Sequence, residues 1–499
     1  MNRKITYLAI PLMVFTLLQC KNGVTNSSGM NTDSTGVHQP GGSNAANKFS
    51  GVMMEGFYWN VPKGGNWWNT IKNKIAVLAN ISHGYGIDRI WLPPAYKAQS
   101  GPQSMGYDPY DYYDLGNFHQ KGTTETRFGS RKELESLIAA LKKNHIKVME
   151  DIVLNHRSGG AKEWNPYTKD STYTDFSGVK SGKAKWHWQQ FHPNSVSQSD
   201  PGKFGNMPDV CYKCKPVSAD IKTWMNWLQD SVGFNGGWRF DYVKGIYPWV
   251  VTEMKKATGN AFSIGEYYDG NVDKVNTWIN QTRTNDTPSA HAFDFPLYYT
   301  MVNVFEKTDG SGNISDLVNP NKSLAAKRPG RAVTFAGNHD TDKIVKDKML
   351  AYAFILTYKG YPCIWWKDYF NYGLDTSAGK SGNGINPLVW VRGKLAKGNP
   401  SIRLIKADDS DILVYAAKGT SSSHPGYIVV MDDNPSGWRN VAIQTKNSYL
   451  QGKTLKAYAW YSTVKGKNSD PNDASCDQSG NVKLSVPPRG YAVYSVKGF

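Results

Sequence analysis

Cysteine is scarce in this chain. Five occur in 499 residues, which excludes a disulfide scaffold. Charge clusters are missing too: the formal net charge is +17, yet Lys and Arg are dispersed and no long basic run exists. A solvated basic surface fits that dispersal, so no nucleic-acid partner is expected. Attraction to anionic cell-surface material stays open. No Gly-x-Gly-x-x-Gly follows a strand and there is no P-loop, which argues against nucleotide and redox cofactors. After the first 20 residues no segment reads as transmembrane.

The N-terminus reads as a targeting segment, residues 1–20. Arg3 and Lys4 precede an apolar run from Ile5 to Leu18, short for a bilayer span. Leu17-Leu18-Gln19-Cys20 is similar to a bacterial lipoprotein cleavage site, with Gln19 where a small residue is usual. Export is expected, with the product secreted or held at the cell envelope by a lipid on Cys20. Residues 21–47 are rich in Gly, Ser, Asn and Thr without apolar period, so they read as a flexible tether. Of the other cysteines, Cys363 lies in an apolar run and reads as a buried thiol. Cys211 and Cys214 form Cys-x-x-Cys, either a local disulfide or two metal ligands.

Aromatic residues are plentiful at 13%, with 17 Trp and 29 Tyr. Most serve packing, and some suit stacking on sugar faces. From about Ser50 to Pro400, short β-rich runs alternate with helical patterns. The runs are Gly51–Tyr58, Arg89–Leu92, Lys147–Leu154, Trp238–Asp241, Phe262–Glu266, His291–Asp294, Ala332–Ala336 and Pro362–Trp366. One helix is well marked. Ser130 and Glu133 form a capping box, and Leu134, Leu137, Ile138 and Leu141 recur at helical spacing. Eight such repeats favour an α/β fold, a (β/α)8 TIM barrel, over a doubly wound sheet.

The spacing breaks once, between His156 and Gly237, a span far longer than a usual strand–helix connection. An inserted domain B after strand 3 is therefore expected at 159–218, with the barrel at 48–158 and 219–407. From 408 to 499, short runs such as Asp411–Ala416, Tyr427–Met431 and Tyr491–Val496 alternate with turn residues. This predicts a C-terminal all-β antiparallel domain, a sandwich.

Three acidic residues end strand-like runs: Asp241, Glu266 and Asp340. Carboxylates on one rim of a parallel sheet suit glycosidic bond cleavage. Arg239, two residues before Asp241, points to the same side of a strand and would keep Asp241 ionised as a nucleophile. Glu266 precedes Tyr267 and Tyr268, and aromatic walls raise a carboxyl pKa, as a proton donor needs. Asp340 follows His339 and could bind sugar hydroxyls. Taken singly, each has a plain structural alternative: an Arg–Asp pair, an exposed strand-end Glu, a helix N-cap Asp.

Together these blocks resemble the α-amylases of glycoside hydrolase family 13, most nearly the archaeal and plant-type enzymes. The matching segments are Asp151-Ile-Val-Leu-Asn-His156, Gly237-Trp-Arg-Phe-Asp-Tyr-Val-Lys244, Ile264-Gly-Glu-Tyr-Tyr-Asp269 and Phe335-Ala-Gly-Asn-His-Asp340. Met105-Gly-Tyr-Asp-Pro-Tyr-Asp-Tyr-Tyr-Asp-Leu-Gly116, Gln120-Lys-Gly-Thr123 and Thr126-Arg-Phe-Gly129 also match. The resemblance implies that Asp241 is nucleophile, Glu266 acid/base and Asp340 transition-state stabiliser. It implies that Arg239, His156 and His339 surround the sugar at the cleavage point. Tyr107 would stack on that sugar, and Lys244 would touch the leaving-group side. Retention would follow, with the Asp241 and Glu266 carboxyls about 5–5.5 Å apart.

The same resemblance implies calcium, Ca2+, held by Asn155, Asp200, Asp209 and the carbonyls of Gly202 and Gly245. Zinc, Zn2+, is implied only weakly. His192 and Cys211 match two of its ligands, Ser197 stands where a second His would be, and Cys214 is a substitute. The expected activity is endo-hydrolysis of α-1,4 bonds in starch, glycogen or maltodextrin by a monomer. The alternatives are a maltooligosaccharide-specific hydrolase, a transglycosylase, or a surface lipoprotein that binds glucan without cutting it. The intact trio argues against the last.

Overall fold

Eight short apolar runs form eight parallel strands in the computed structural model, which describes residues 51–375 and 383–499. The targeting segment and tether expected over residues 1–47 lie outside the described residues. The strands are β1 (Met53–Glu55), β2 (Arg89–Trp91), β3 (Lys147–Ile152), β4 (Trp238–Phe240), β5 (Ser263–Gly265), β6 (His291–Phe293), β7 (Ala332–Phe335) and β8 (Tyr361–Trp365). All but Lys147 of their residues are buried. Burial on both faces is what near-continuous apolar runs in a parallel sheet require. Each strand pairs with its neighbour in sequence, and β8 closes on β1 through Met53–Cys363 and Glu55–Trp365. The expected (β/α)8 barrel is the observed one.

All but one of the paired segments are shorter than the runs expected for them, because the chain leaves the ladder at the rim; β8 keeps its length and starts one residue earlier, at Tyr361. Asp241 and Glu266 directly follow β4 and β5, and Asp340 lies in the loop after β7. Gly237, at φ +90°, starts β4 hard against the Phe262 carbonyl, where a Cβ would collide.

The helix Arg131–Lys143 forms as its pattern predicts. Ser130 Oγ accepts from the Glu133 N–H at 3.3 Å, and Glu133 Oε2 accepts from the Ser130 N–H at 2.8 Å. Such a cap stabilises by about 1 kcal/mol. Leu134, Leu137, Ile138 and Leu141 are buried on its barrel face, each contributing roughly 1.5–3 kcal/mol.

The long connection after β3 holds an antiparallel hairpin, Ala161–Asn165 with Asp170–Asp175. Single bridges join His156 to Asp209 and Phe191 to Val210. Arg157 anchors this segment from within: its guanidinium donates to the carbonyls of Tyr110 and Ala184 and lies over the Phe176 ring. The next helix, Val217–Trp227, begins before residue 219, where the barrel was expected to resume.

The terminal sheet also begins early. Ile402–Lys406 pairs antiparallel with Ile412–Ser421, ahead of the expected boundary at 408. Six strands form this sheet, and Arg439–Gln444 with Asn481–Val486 forms a second, two-stranded one. Alternation is clear along Ile412–Ser421. Val414 and Ala416 pack with Val482 and Leu484 of the small sheet, while Leu413, Tyr415 and Ala417 join the main core. The sandwich is therefore lopsided, its large sheet covered by a small one on one face and by the barrel body on the other.

Candidate active site

Arg239 is the hub of the barrel mouth. It points inward from β4 and is fully buried. Nη1 donates to Asp151 Oδ1 at 2.9 Å and to Asp241 Oδ1 at 2.6 Å, and Nη2 reaches Glu266 Oε1 at 2.9 Å. One guanidinium thus spans three carboxylates from β3, the end of β4 and the end of β5. Burial alone would weaken its charge, but the surrounding carboxylates raise its pKa well above the ordinary value.

Glu266 is buried at the end of β5. Burial lifts its carboxyl to about 8; Arg239 pulls it down, and Asp241 and Asp340 push it up. Its Oε2 accepts from the Tyr242 N–H at 3.0 Å. Tyr242 holds φ at +41°, a left-handed conformation for a bulky residue directly after Asp241. The strained turn places Asp241 and the Glu266 contact side by side.

Asp340 is brought to the same mouth by the loop after β7. Its side chain is 42% exposed, and His339 Nε2 stands 3.2 Å from Oδ2. Burial opposes its charge, but the His339 cation, with Arg239 further off, holds the carboxyl below its ordinary range.

The remaining expected residues divide. Tyr107 donates its hydroxyl to Asp151 Oδ2 at 2.8 Å and stacks near-parallel on His339 at 5.3 Å. His156 pairs through Nε2 with the Tyr107 carbonyl at 2.8 Å and stacks on Phe204 at 4.8 Å. Burial lowers its pKa. Lys244 stands apart from the trio, on the rim, in contact with Asp269 at 3.2 Å and the Tyr268 carbonyl at 3.3 Å. Sequence reasoning assigned no role to Glu55, Asp151, Trp59 or Phe204. Glu55 was hidden in an apolar strand, although a lone acid there is itself a signal. Trp59 is 48% exposed and stacks on Tyr107 at 5.8 Å.

A calcium site has matching donors. Asp200 Oδ2 and Asp209 Oδ1 receive no hydrogen bond among the described residues, and Asp200 Oδ1 faces only His192 Nε2 at 3.0 Å, though both aspartates are buried. One arm of the Asn155 amide lies 2.8 Å from the Gly202 carbonyl oxygen and 3.0 Å from that of Gly245. With the amide oxygen on that arm, three oxygens face one another, as they would around a cation; with the nitrogen there, two hydrogen bonds form instead. Gly245 is required at this spot, because a Cβ would strike Asn155. These oxygens suit a hard cation. Among the described residues, no three His, Cys, Asp or Glu side chains converge as a metal cluster.

The zinc expectation is corrected. Cys211 and Cys214 are joined as a disulfide, so neither offers a thiolate. His192 instead turns Nε2 to Asp200 at 3.0 Å and Nδ1 to the Ser197 carbonyl at 3.2 Å.

The family description "Alpha amylase, catalytic domain" matches residues 64–368, more than half of the chain. The chain belongs to the α-amylase family. It is similar to the α-amylase of Bacillus licheniformis, at 29% identity over 86% of this chain and 90% of that protein. It is also similar to the glucan 1,4-alpha-maltohexaosidase of Bacillus sp. (strain 707), at 27% identity over 88% and 91%. An α-amylase from Malbranchea cinnamomea shares the fold, with TM-score 0.63 and 18% identity over 90% of this chain and 95% of that one. These similarities place the chain in the family without singling out its archaeal and plant branch, so the narrower resemblance is corrected to the family as a whole.

Proposed function

We propose that this protein hydrolyses internal α-1,4-glucosidic bonds of starch, glycogen or maltodextrins with retention of configuration. One observation carries the reading: Arg239 joins Asp241 and Glu266 while Glu266 stays protonated up to about pH 8. Two carboxyls with opposite tasks then face one bond. In this reading Glu266 donates its proton to the leaving oxygen as Asp241 attacks the anomeric carbon, forming a covalent glycosyl-enzyme. Water, activated by the Glu266 carboxylate, then releases the sugar. Asp340 and His339 hold sugar hydroxyls as the ring flattens, and Tyr107 with Trp59 offers an aromatic face to it.

Calcium, when bound by Asn155, Asp200, Asp209, Gly202 and Gly245, would tie the inserted segment to the barrel and so fix the cleft wall. Export through residues 1–20, with a lipid on Cys20 and a tether over 21–47, fits a polymer too large to enter a cell.

The test is release of reducing ends from soluble starch. Tight glucan binding without release would instead favour the binding lipoprotein. A maltooligosaccharide-forming enzyme is the second reading, favoured by the similarity to a maltohexaosidase. A product profile by chromatography decides it: one dominant oligosaccharide length supports the second reading, a broad early mixture the first.

A further inference from the structure

Beneath Asp340 lies a second buried carboxylate that the proposed chemistry does not use. Glu55 ends β1 and is 1% exposed. Its Oε1 accepts from the His339 backbone N–H at 3.2 Å and faces His339 Nδ1 at 2.7 Å. The other ring nitrogen, Nε2, faces Asp340 Oδ2 at 3.2 Å. An imidazole with a carboxylate oxygen at each nitrogen satisfies both only when both nitrogens carry protons. The ring has no freedom to turn away, packed by Phe57, Trp91 and Tyr107 at 4.9–5.5 Å.

We propose that Glu55 is a positioning residue for Asp340: it orients His339 and holds it as the imidazolium that fixes the Asp340 carboxylate over the sugar. Glu55 touches no substrate and acts only through His339. The inference rests on the reading of Asp340 as transition-state stabiliser.

The charges around the pair agree. Burial would discharge His339, but Asp340 and Glu55 raise its pKa to about 10. Burial raises Glu55 to about 7 against the pull of His339. Between about pH 7 and pH 10 both partners are therefore charged. The other groups that sense this pair are Asp151 on β3, Cys363 on β8 and, beside Asp340, Arg239. None of them forms a hydrogen bond to either His339 ring nitrogen. Glu55 Oε2 is buried without a partner, so the carboxylate has only His339 to answer its charge.

The test uses the full chain and two variants, Glu55→Gln and Glu55→Asp. The His339 ring is followed by NMR titration, its signal assigned by its loss in His339→Gln. In Glu55→Gln the His339 pKa should fall by about 1 unit or more, the effect of removing a close opposite charge. On maltodextrin at pH 8, kcat should fall roughly 10- to 100-fold, as for a misplaced catalytic group, with KM little changed. Glu55→Asp should keep the high His339 pKa and recover part of kcat. An unchanged His339 titration in Glu55→Gln overturns the proposal, as does an unchanged kcat. Equal losses in both variants also overturn it, because charge would then be irrelevant. Should the wild-type protein release no reducing ends, the functional reading fails, while the NMR arm still decides whether Glu55 sets the charge of His339.

Discussion

Arg239 Nη2 lies 2.9 Å from Glu266 Oε1, yet Glu266 binds its proton far more tightly than a free carboxyl does. A lone arginine at that distance would have the opposite effect. Burial is the first reason, and sharing adds to it: the same guanidinium also serves Asp151 and Asp241. One positive charge cannot balance three buried negative ones, so protons take up the difference. Asp151 is raised to about 6 and Glu266 to about 8, burial being the first cause in both. The cluster makes a proton donor by being short of cations.

The pH profile should show this. Glu266 must be protonated to act, so activity is present below about 8 and lost as pH rises through that value. The measurement is kcat/KM on a short maltodextrin from pH 5 to 10. A profile flat to pH 10 contradicts the assignment.

Replacing Glu266 by Gln removes the proton donor and keeps the shape. Turnover of starch should drop by at least about 10²- to 10⁴-fold. Glucan affinity, read by calorimetry, should stay within a few-fold of the wild type.

The stereochemical outcome is a separate check. Proton NMR of the first product from maltodextrin should show the α-anomer, later mutarotating. An initial β-anomer would falsify the double displacement.

Arg239→Met strands Asp151 and Asp241 without a counter-charge, Glu266 being protonated at pH 7. The loss should be about 3–5 kcal/mol at pH 7, read as a lowered melting temperature. The penalty comes from the ionised forms, so it should shrink as pH falls below about 6, where Asp151 is protonated as well as Glu266.

Chelator should lower the melting temperature if calcium seats on Asp200, Asp209 and Asn155. Added calcium at about 100 times its Kd should restore about 2.7 kcal/mol. Asp200→Asn should blunt both responses. A melting point indifferent to chelator and to calcium argues against a structural ion there.

Much of this site was legible in the chain because short apolar runs ended in acids. β4 and β5 hand Asp241 and Glu266 to the rim with no intervening residue, so strand pattern and chemistry were read together. Lys244 leaves the strand with Asp241, and the turn at Tyr242 carries it outward to Asp269. Glu55 was illegible for a different reason: its partner His339 lies 284 residues away, and no local pattern encodes that meeting. The first terminal strand, Ile402–Lys406, was missed because Arg403 and Lys406 break its apolar character. The zinc expectation failed because spacing alone does not separate Cys-x-x-Cys as ligands from Cys-x-x-Cys as a disulfide.

The seam where β8 meets β1 has a consequence for how the protein is made. Met53 pairs with Cys363, the last barrel strand with the first. Glu55 and His339 meet only where the rim closes across that seam. A nascent chain released as far as the loop after β7 has every catalytic acid but no closed rim, and such long-range pairing is slow to form. Hydrolysis therefore has no partial stage during synthesis: it waits until the last barrel strand docks.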